Sequence, residues 1–119
     1  MESKVKRIID HLLSMTKDGI VEWQYANSED SYKLELDSAT LIISYMDANP
    51  FTGNEQGYSL VMYNGTGKPI DLVSCSTNGN PEDYVVLSDL YALAKESTAK
   101  IQSTLDKLLK ELGEKDLPF

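Results

Sequence analysis

The chain has 119 residues, of which 41% are hydrophobic and 25% charged, so its composition excludes a disordered protein and indicates one folded domain over residues 1–119. The formal net charge is −8, and residues 18–71 hold nine acidic side chains against two basic ones, which argues against broad binding to nucleic-acid phosphates. The chain has one cysteine, no apolar run of membrane-spanning length and no signal-peptide region after its N-terminal charges. We therefore expect a cytoplasmic protein without disulfides or membrane contact.

Hydrophobic periodicity predicts the first helix and the sheet. Apolar residues recur every three or four positions from Val5 to Leu13, which is typical of an amphipathic helix over residues 3–17, and Gly19 is the expected stop. The period then changes to two, and alternating segments predict five strands, at about residues 20–26, 31–37, 40–46, 57–63 and 70–76. Short connections favour sequential antiparallel pairing. The predicted fold class is α+β, with a five-stranded antiparallel meander and both helices on one face of the sheet.

A second apolar stripe predicts a long C-terminal helix over about residues 82–112. The stripe is formed by Leu87, Tyr91, Ala94, Thr98, Ile101, Leu105, Leu108 and Leu112. A continuous helix of this length would measure roughly 46 Å, whereas a compact domain of this size has a radius of gyration of about 13–14 Å. We therefore expect the helix either to project beyond the sheet or to break near residues 96–100 and fold back onto the domain.

Projection of this helix would expose apolar side chains that need a partner. The candidate partner or dimer surface consists of Tyr91, Ile101, Leu105, Leu108 and Leu112. Burying such side chains is worth roughly 1.5–3 kcal/mol each before the cost of association. We expect a homodimer if the helix projects and a monomer if it breaks.

Aromatic residues on the predicted strands form a candidate stacking or ligand surface. They are Trp23, Tyr25, Tyr32, Tyr45, Tyr58 and Tyr63. If several of them share the sheet face that the helices leave open, their rings provide a platform for a base or a peptide. If they pack beneath the helices, they are core residues whose hydroxyls reach the rim, which is the commoner arrangement for tyrosine and tryptophan.

No motif has the spacing of a catalytic or metal-binding site. His11 is the only histidine and Cys75 the only cysteine, so a Cys/His zinc site is excluded. Asp10 adjoins His11, but neighbouring residues of a helix do not face each other. Residues 65–68 have some features of a phosphate loop, but Pro69 replaces its Ser or Thr. The sequence predicts a protein that is not an enzyme, with no catalytic residue, no metal and no cofactor.

Segments at both ends of the chain carry a family resemblance. The segments are residues 12–13, 16–19, 21–23, 87–94 and 105–112. Together they resemble a loose group of short, acidic, uncharacterised bacterial and phage proteins with a helix, an antiparallel sheet and a long C-terminal helix. The layout also resembles type III secretion chaperones, which usually carry an extra helix where this chain has the loop of residues 47–56. The resemblance implies a bacterial or phage origin and no specific chemistry.

These observations favour a protein-binding module or inhibitor of the immunity, antitoxin or anti-defence type, acting through an acidic sheet surface or the C-terminal helix. The negative charge fits a basic protein partner, and we expect no direct binding to nucleic acid. One alternative is a small-ligand binder, such as a phage sponge that sequesters a nucleotide messenger by tyrosine stacking, with Lys4, Lys6 and Arg7 lining its pocket. A second alternative is a protein similar to the secretion chaperones.

Overall fold

A computed structural model of the chain describes residues 3–26, 30–48, 51, 53 and 55–113. Two helices and five strands follow in chain order: α1 (Ser3–Lys17), β1 (Gln24–Tyr25), β2 (Ser31–Glu35), β3 (Ala39–Met46), β4 (Gly57–Asn64), β5 (Pro69–Ser76) and α2 (Pro81–Glu111). The strands form one sheet in the order β1-β2-β3-β4-β5, and every neighbouring pair is antiparallel. The predicted α+β fold with a five-stranded antiparallel meander is confirmed.

Local sequence sets the ends of both helices. Gly19 takes a left-handed conformation with φ of 74°, and the amide of Ile20 donates to the Met15 carbonyl at 2.9 Å, which closes a Schellman motif. At the start of α2, the side-chain oxygen of Asn80 accepts hydrogen bonds from two backbone amides of the first turn. These caps explain why α1 ends before Gly19, as predicted, and why α2 begins after Asn80.

One face of the sheet and both helices share a single core. The alternate residues of the central strands that point toward the helices, such as Leu41, Ile43 and Leu60, are buried. Helix α2 lies across this face, and α1 lies alongside α2 and adds Val5 and Ile9 to the same core. Both helices therefore cover one side of the sheet.

Strand β1 is shorter than the predicted segment of residues 20–26, because it contains only Gln24 and Tyr25. The residue before it, Trp23, would be the next to pair with β2. Its backbone amide donates to the Ser97 hydroxyl at 3.0 Å, and its carbonyl accepts from the Thr98 hydroxyl at 3.1 Å. The register places the hydrogen-bonded pairs at Gln24–Lys33 and Ala26–Ser31, so the two backbone groups of Trp23 point away from β2. Helix α2 therefore satisfies the outer edge of the chain just before β1.

Helix α2 is continuous over 31 residues, so the break considered near residues 96–100 does not occur. At 1.5 Å per residue it is roughly 46 Å long. The molecule measures 54 × 36 × 27 Å with a radius of gyration of 16.8 Å, larger than the ~13–14 Å of a compact domain this size. The helix therefore projects beyond the sheet that supports its first half.

Candidate functional site

The projecting segment, residues 101–112, begins one turn after α2 has crossed the sheet. Ile101 is half-buried at its base, and every residue from 102 to 112 is exposed. The apolar stripe nevertheless continues through it, leaving Leu105 and Leu108 each 47% exposed and Leu112 63% exposed. The stripe that forms core in the first half of α2 therefore becomes an apolar surface in the second half.

Four of the five residues predicted as a partner surface lie together on the projecting segment, namely Ile101, Leu105, Leu108 and Leu112. Leu109, which was not among the predicted residues, lies on the same side and is also exposed. Tyr91 is elsewhere, because its ring packs against tyrosines of the sheet. The sequence nevertheless predicts Leu109, with Leu105, Leu108 and Leu112, as a side chain that projection of the helix would expose.

The projecting segment has no net charge although the chain carries −8. Asp106 and Glu111 are balanced by Lys107 and Lys110. The recorded ion pair of this helix, between Lys100 Nζ and a Glu96 oxygen at 3.4 Å, lies just before the segment. Like-charge repulsion therefore does not oppose contact between two copies of the segment as it would over the acidic remainder of the surface.

A second surface is a cluster of six tyrosines, which we call the tyrosine cluster. It consists of Tyr25, Tyr32, Tyr45, Tyr58, Tyr84 and Tyr91. Each ring contacts at least one other, with centroids 5.3–6.1 Å apart and tilted or edge-to-face geometry. Tyr58 and Tyr91 each contact three of the other rings and together form the centre of the cluster.

Strand register and helix periodicity assemble this cluster. Tyr25 is paired with Tyr32 across β1 and β2, and Tyr45 with Tyr58 across β3 and β4, so the rings of each pair share a face. Tyr84 and Tyr91 are seven residues apart and lie on the same side of α2. Sequence reasoning placed Tyr91 on a different surface and missed Tyr84, although their spacing of two helical turns was a usable signal.

The cluster lies on the side of α2 that α1 does not cover. Helix α1 faces the other flank, where Lys6 and Val86 line one cavity and Lys17 and Leu93 line another. On the side away from α1, the part of the chain that the structure describes covers the sheet face with tyrosine rings and not with a helix. Tyr25 is 52% exposed, and most of the other rings are half-buried, so the cluster forms part of the molecular surface.

Carboxylates at the edge of the cluster contribute to raised pKa values of two of its phenols, those of Tyr91 and Tyr45. The pKa of Tyr91 is raised to about 12, mainly by burial and to a smaller extent by the neighbouring Tyr32 and the negative charge of Asp30. Burial likewise raises the pKa of Tyr45, and its hydrogen bond to Asp47 adds to that shift. The phenols are therefore neutral hydrogen-bond donors near two carboxylates.

Two of the predicted aromatic residues lie apart from the tyrosine cluster. Trp23 has no exposed surface and belongs to the core beneath both helices. Tyr63 follows Tyr58 by five positions on β4, so its side chain points to the opposite face of the sheet. The structure therefore brings together Tyr25, Tyr32, Tyr45 and Tyr58 of the six predicted residues.

The sheet face opposite the helices is not acidic. A row of serines, Ser31, Ser44, Ser59 and Ser74, crosses four strands in register. Beside it lie Ile42, Val61 and Leu72. Among the described strand residues, the charged side chains on this face are Lys33 and Glu35, whose Nζ and Oε1 atoms are 3.1 Å apart. The acidic sheet surface that the sequence predicts therefore does not lie on this face.

The remaining chemistry-bearing residues are separate from these surfaces. His11 is exposed on α1, and the buried Cys75 thiol lies 3.2 Å from the Asn80 carbonyl oxygen. Within the described part of the chain, no group of three or more His, Cys, Asp or Glu residues is arranged to hold a metal ion. None of its helices combines the length and the apolar character that a membrane crossing requires.

Comparison with known proteins adds no relative. No family model, no curated protein and no solved structure matches this chain at a significant level.

Proposed function

We propose that this chain is a non-enzymatic protein-binding module whose binding element is the projecting segment and whose first partner is a second copy of the chain. The main support for this proposal is that the apolar stripe of α2 continues for three turns beyond the body of the domain. Apolar helix faces of this kind bind other helices or grooves through residues three and four positions apart. A cytoplasmic inhibitor of the immunity, antitoxin or anti-defence type would use such a surface to occlude its target.

The energetics favour weak, concentration-dependent pairing. Leu105, Leu108, Leu109 and Leu112 are each about half exposed. Burying the exposed part of each is worth roughly 1 kcal/mol, or about 8 kcal/mol for two copies. Association costs about 4 kcal/mol or more. Three turns of helix also bury less than the ~800 Å² per partner of a standard interface. The difference of about 4 kcal/mol corresponds to a dissociation constant of about 1 mM, so we expect a dimer that forms as the concentration approaches the millimolar range.

Charge supports the choice of a second copy as partner. The body of the domain is strongly acidic, so two copies would repel each other over most of their surfaces. The projecting segment is neutral, and its charged residues, Asp106, Lys107, Lys110 and Glu111, are available to form pairs of opposite sign at the rim of a helix pair. Self-association is therefore least opposed at this segment.

Sedimentation equilibrium or light scattering over a concentration series tests this proposal. We expect the mass of the wild-type chain to rise from monomer toward dimer, and Leu105→Glu and Leu108→Glu to remain monomeric because each inserts a charge into the apolar stripe. Ser103→Glu is the matched control, since it adds the same charge to an exposed position on the other side of the segment. It should dimerise as the wild type does.

Unfolding by urea separates an interface from an internal core. Because Leu105 is 47% exposed, Leu105→Glu should leave the unfolding free energy of the monomer nearly unchanged. A wild-type chain that stays monomeric at every concentration, together with a large loss of stability in Leu105→Glu, would overturn the proposal.

A further inference from the structure

We propose that the tyrosine cluster, together with the carboxylates of Asp30 and Asp47, is a binding site for arginine side chains of a partner protein segment. This inference concerns a different surface from the projecting segment and goes beyond the function proposed above. Three features of the cluster support this proposal: its partly exposed aromatic area, the sign of the charge at its edge, and the absence of a covering helix within the described ranges of the chain.

The aromatic area is suited to a cation. The face of a tyrosine ring carries negative potential and attracts a cation within about 6 Å of the ring centroid. The half-exposed Tyr25 lies at the β1 edge with its ring 5.7 Å from that of Tyr32, and Tyr45 and Tyr58 continue the aromatic surface toward α2. A planar group can therefore stack on one ring while touching the edge of the next.

Charge selects a cation over an anion. Asp30 and Asp47 are exposed, and their negative charges reach the hydroxyls of Tyr91 and Tyr45. The ion pairs recorded among the described residues are Lys33–Glu35 and Lys100–Glu96, and neither includes these two aspartates. A nucleotide phosphate at this place would be repelled by both carboxylates, whereas a positive side chain would be attracted.

Arginine fits this combination better than lysine. Its guanidinium is planar, stacks on aromatic faces and offers paired N–H donors to a carboxylate, whereas the lysine ammonium is a compact and strongly hydrated charge. The tyrosine hydroxyls at the rim are further partners for its donors. The site therefore selects an arginine-containing segment of a protein.

The side of the sheet that the tyrosine cluster covers leaves room for an arginine-containing segment. Helix α1 packs against the opposite flank of α2, so among the residues that the structure describes the tyrosine rings form the outer layer above the sheet on the cluster side. A cluster that served only as core would not need six hydroxyls, because phenylalanine fills the same volume without a polar group. The hydroxyls at this rim indicate a surface that contacts water or a polar ligand.

The test is a titration of the full chain with a capped hexa-arginine peptide at low salt, followed by calorimetry and by the ring signals of the tyrosines in NMR spectra. We expect the ring signals of Tyr25, Tyr32 and Tyr45 to shift. Tyr25→Ser should weaken binding roughly threefold, the size expected for one exposed cation–ring contact. The double variant Asp30→Asn, Asp47→Asn should weaken it by a similar factor. Hexa-lysine should bind more weakly than hexa-arginine.

Matched controls separate this site from general attraction to an acidic protein. Tyr63→Ser removes an aromatic ring from the opposite face, and the double variant Asp37→Asn, Asp89→Asn removes two exposed negative charges outside the cluster. Both should bind hexa-arginine within twofold of the wild type. If these controls weaken binding as much as the site variants do, or if adenosine monophosphate shifts the cluster and hexa-arginine does not, the proposal is overturned.

The two proposals fail independently. Leu105→Glu, which should abolish dimerisation, should leave hexa-arginine binding unchanged because the projecting segment contains no residue of the tyrosine cluster. Loss of arginine binding in Leu105→Glu would show that the site requires the dimer and would overturn its assignment to a single copy.

Discussion

The hydroxyl of Thr98, in the middle of α2, shares its proton between the carbonyl oxygen of Trp23 at 3.1 Å, 75 positions away in the chain, and the carbonyl oxygen of Ala94 in its own helix at 3.0 Å. The adjacent Ser97 hydroxyl accepts from the Trp23 amide at 3.0 Å. Both backbone groups of Trp23, which point away from β2, are thus satisfied by a helix. Helix α2 is therefore attached to the edge of the sheet at this position.

The Trp23 side chain extends this attachment to the other helix. Its indole N–H donates to the Thr16 hydroxyl near the end of α1 at 2.9 Å, and the Trp23 and Thr98 side chains are almost fully buried. One residue therefore holds both helices at the β1 edge. The projecting segment begins at Ile101, one turn beyond Thr98, so this contact sets where α2 leaves the domain.

Thr98→Val tests the contribution of this contact to stability. Valine keeps the shape of threonine but removes the donor, which leaves the buried Trp23 carbonyl without its hydrogen bond. We expect the unfolding free energy measured in urea to fall by about 1–2 kcal/mol. Thr104→Val is the matched control, since the exposed Thr104 hydroxyl makes the same kind of bond to a carbonyl of its own helix, at 3.0 Å from Lys100 O.

The Thr104→Val control should change stability by less than about 0.5 kcal/mol, because its carbonyl partner remains accessible to water. Equal effects of the two substitutions would show that the Trp23 contact contributes nothing beyond the local helix bond. An unchanged Thr98→Val protein would give the same conclusion.

Periodicity in the sequence was sufficient to predict the elements of the fold. The three-and-four spacing from Leu87 to Leu112 predicted one long helix, and alternation predicted β2 to β5 within one or two residues of their ends. The early end of β1 could not be predicted in this way. Just before β1 the chain bonds to α2, where the Trp23 amide donates to Ser97 and its carbonyl accepts from Thr98, and no local pattern indicates a contact across 74 or 75 residues.

The tyrosine cluster was predictable only in part. Tyr58 and Tyr63 are five positions apart on one strand, so their opposite orientations follow from alternation alone. The pairing of Tyr45 with Tyr58 required the register between β3 and β4, which depends on where the connecting loop ends. The contribution of Tyr84 and Tyr91 required the path of α2 across the sheet, which the attachment at Trp23 determines.

Gly57→Ala tests the close approach of β4 and β5. A methyl group at Gly57 would lie 2.5 Å from the Cys75 carbonyl oxygen and 2.9 Å from the Ser76 Cα atom, both of them backbone atoms. The strands would have to separate to accept it, so we expect a loss of about 1–3 kcal/mol in the unfolding free energy. Urea denaturation followed by circular dichroism measures this change.

Gly65→Ala is the control for Gly57→Ala, because a methyl group at Gly65 would meet its nearest neighbour, the Ser38 carbonyl oxygen, at 4.0 Å. Its unfolding free energy should stay within about 0.5 kcal/mol of the wild type. If Gly57→Ala is as stable as Gly65→Ala, the two strands do not approach each other as closely as described.

The raised pKa of Tyr91 predicts a loss of stability in alkali. An unfolded tyrosine loses its proton near pH 10.0, whereas the folded protein holds the pKa of Tyr91 at about 12. Between these two values the folded state binds more protons than the unfolded state, so by linkage the unfolding free energy falls as pH rises. Tyr91→Phe removes this phenol, and its unfolding free energy, measured in urea at a series of pH values, should fall less steeply over that interval. Tyr63→Phe, outside the cluster, should follow the wild type, and an equally steep fall in Tyr91→Phe would contradict the assignment.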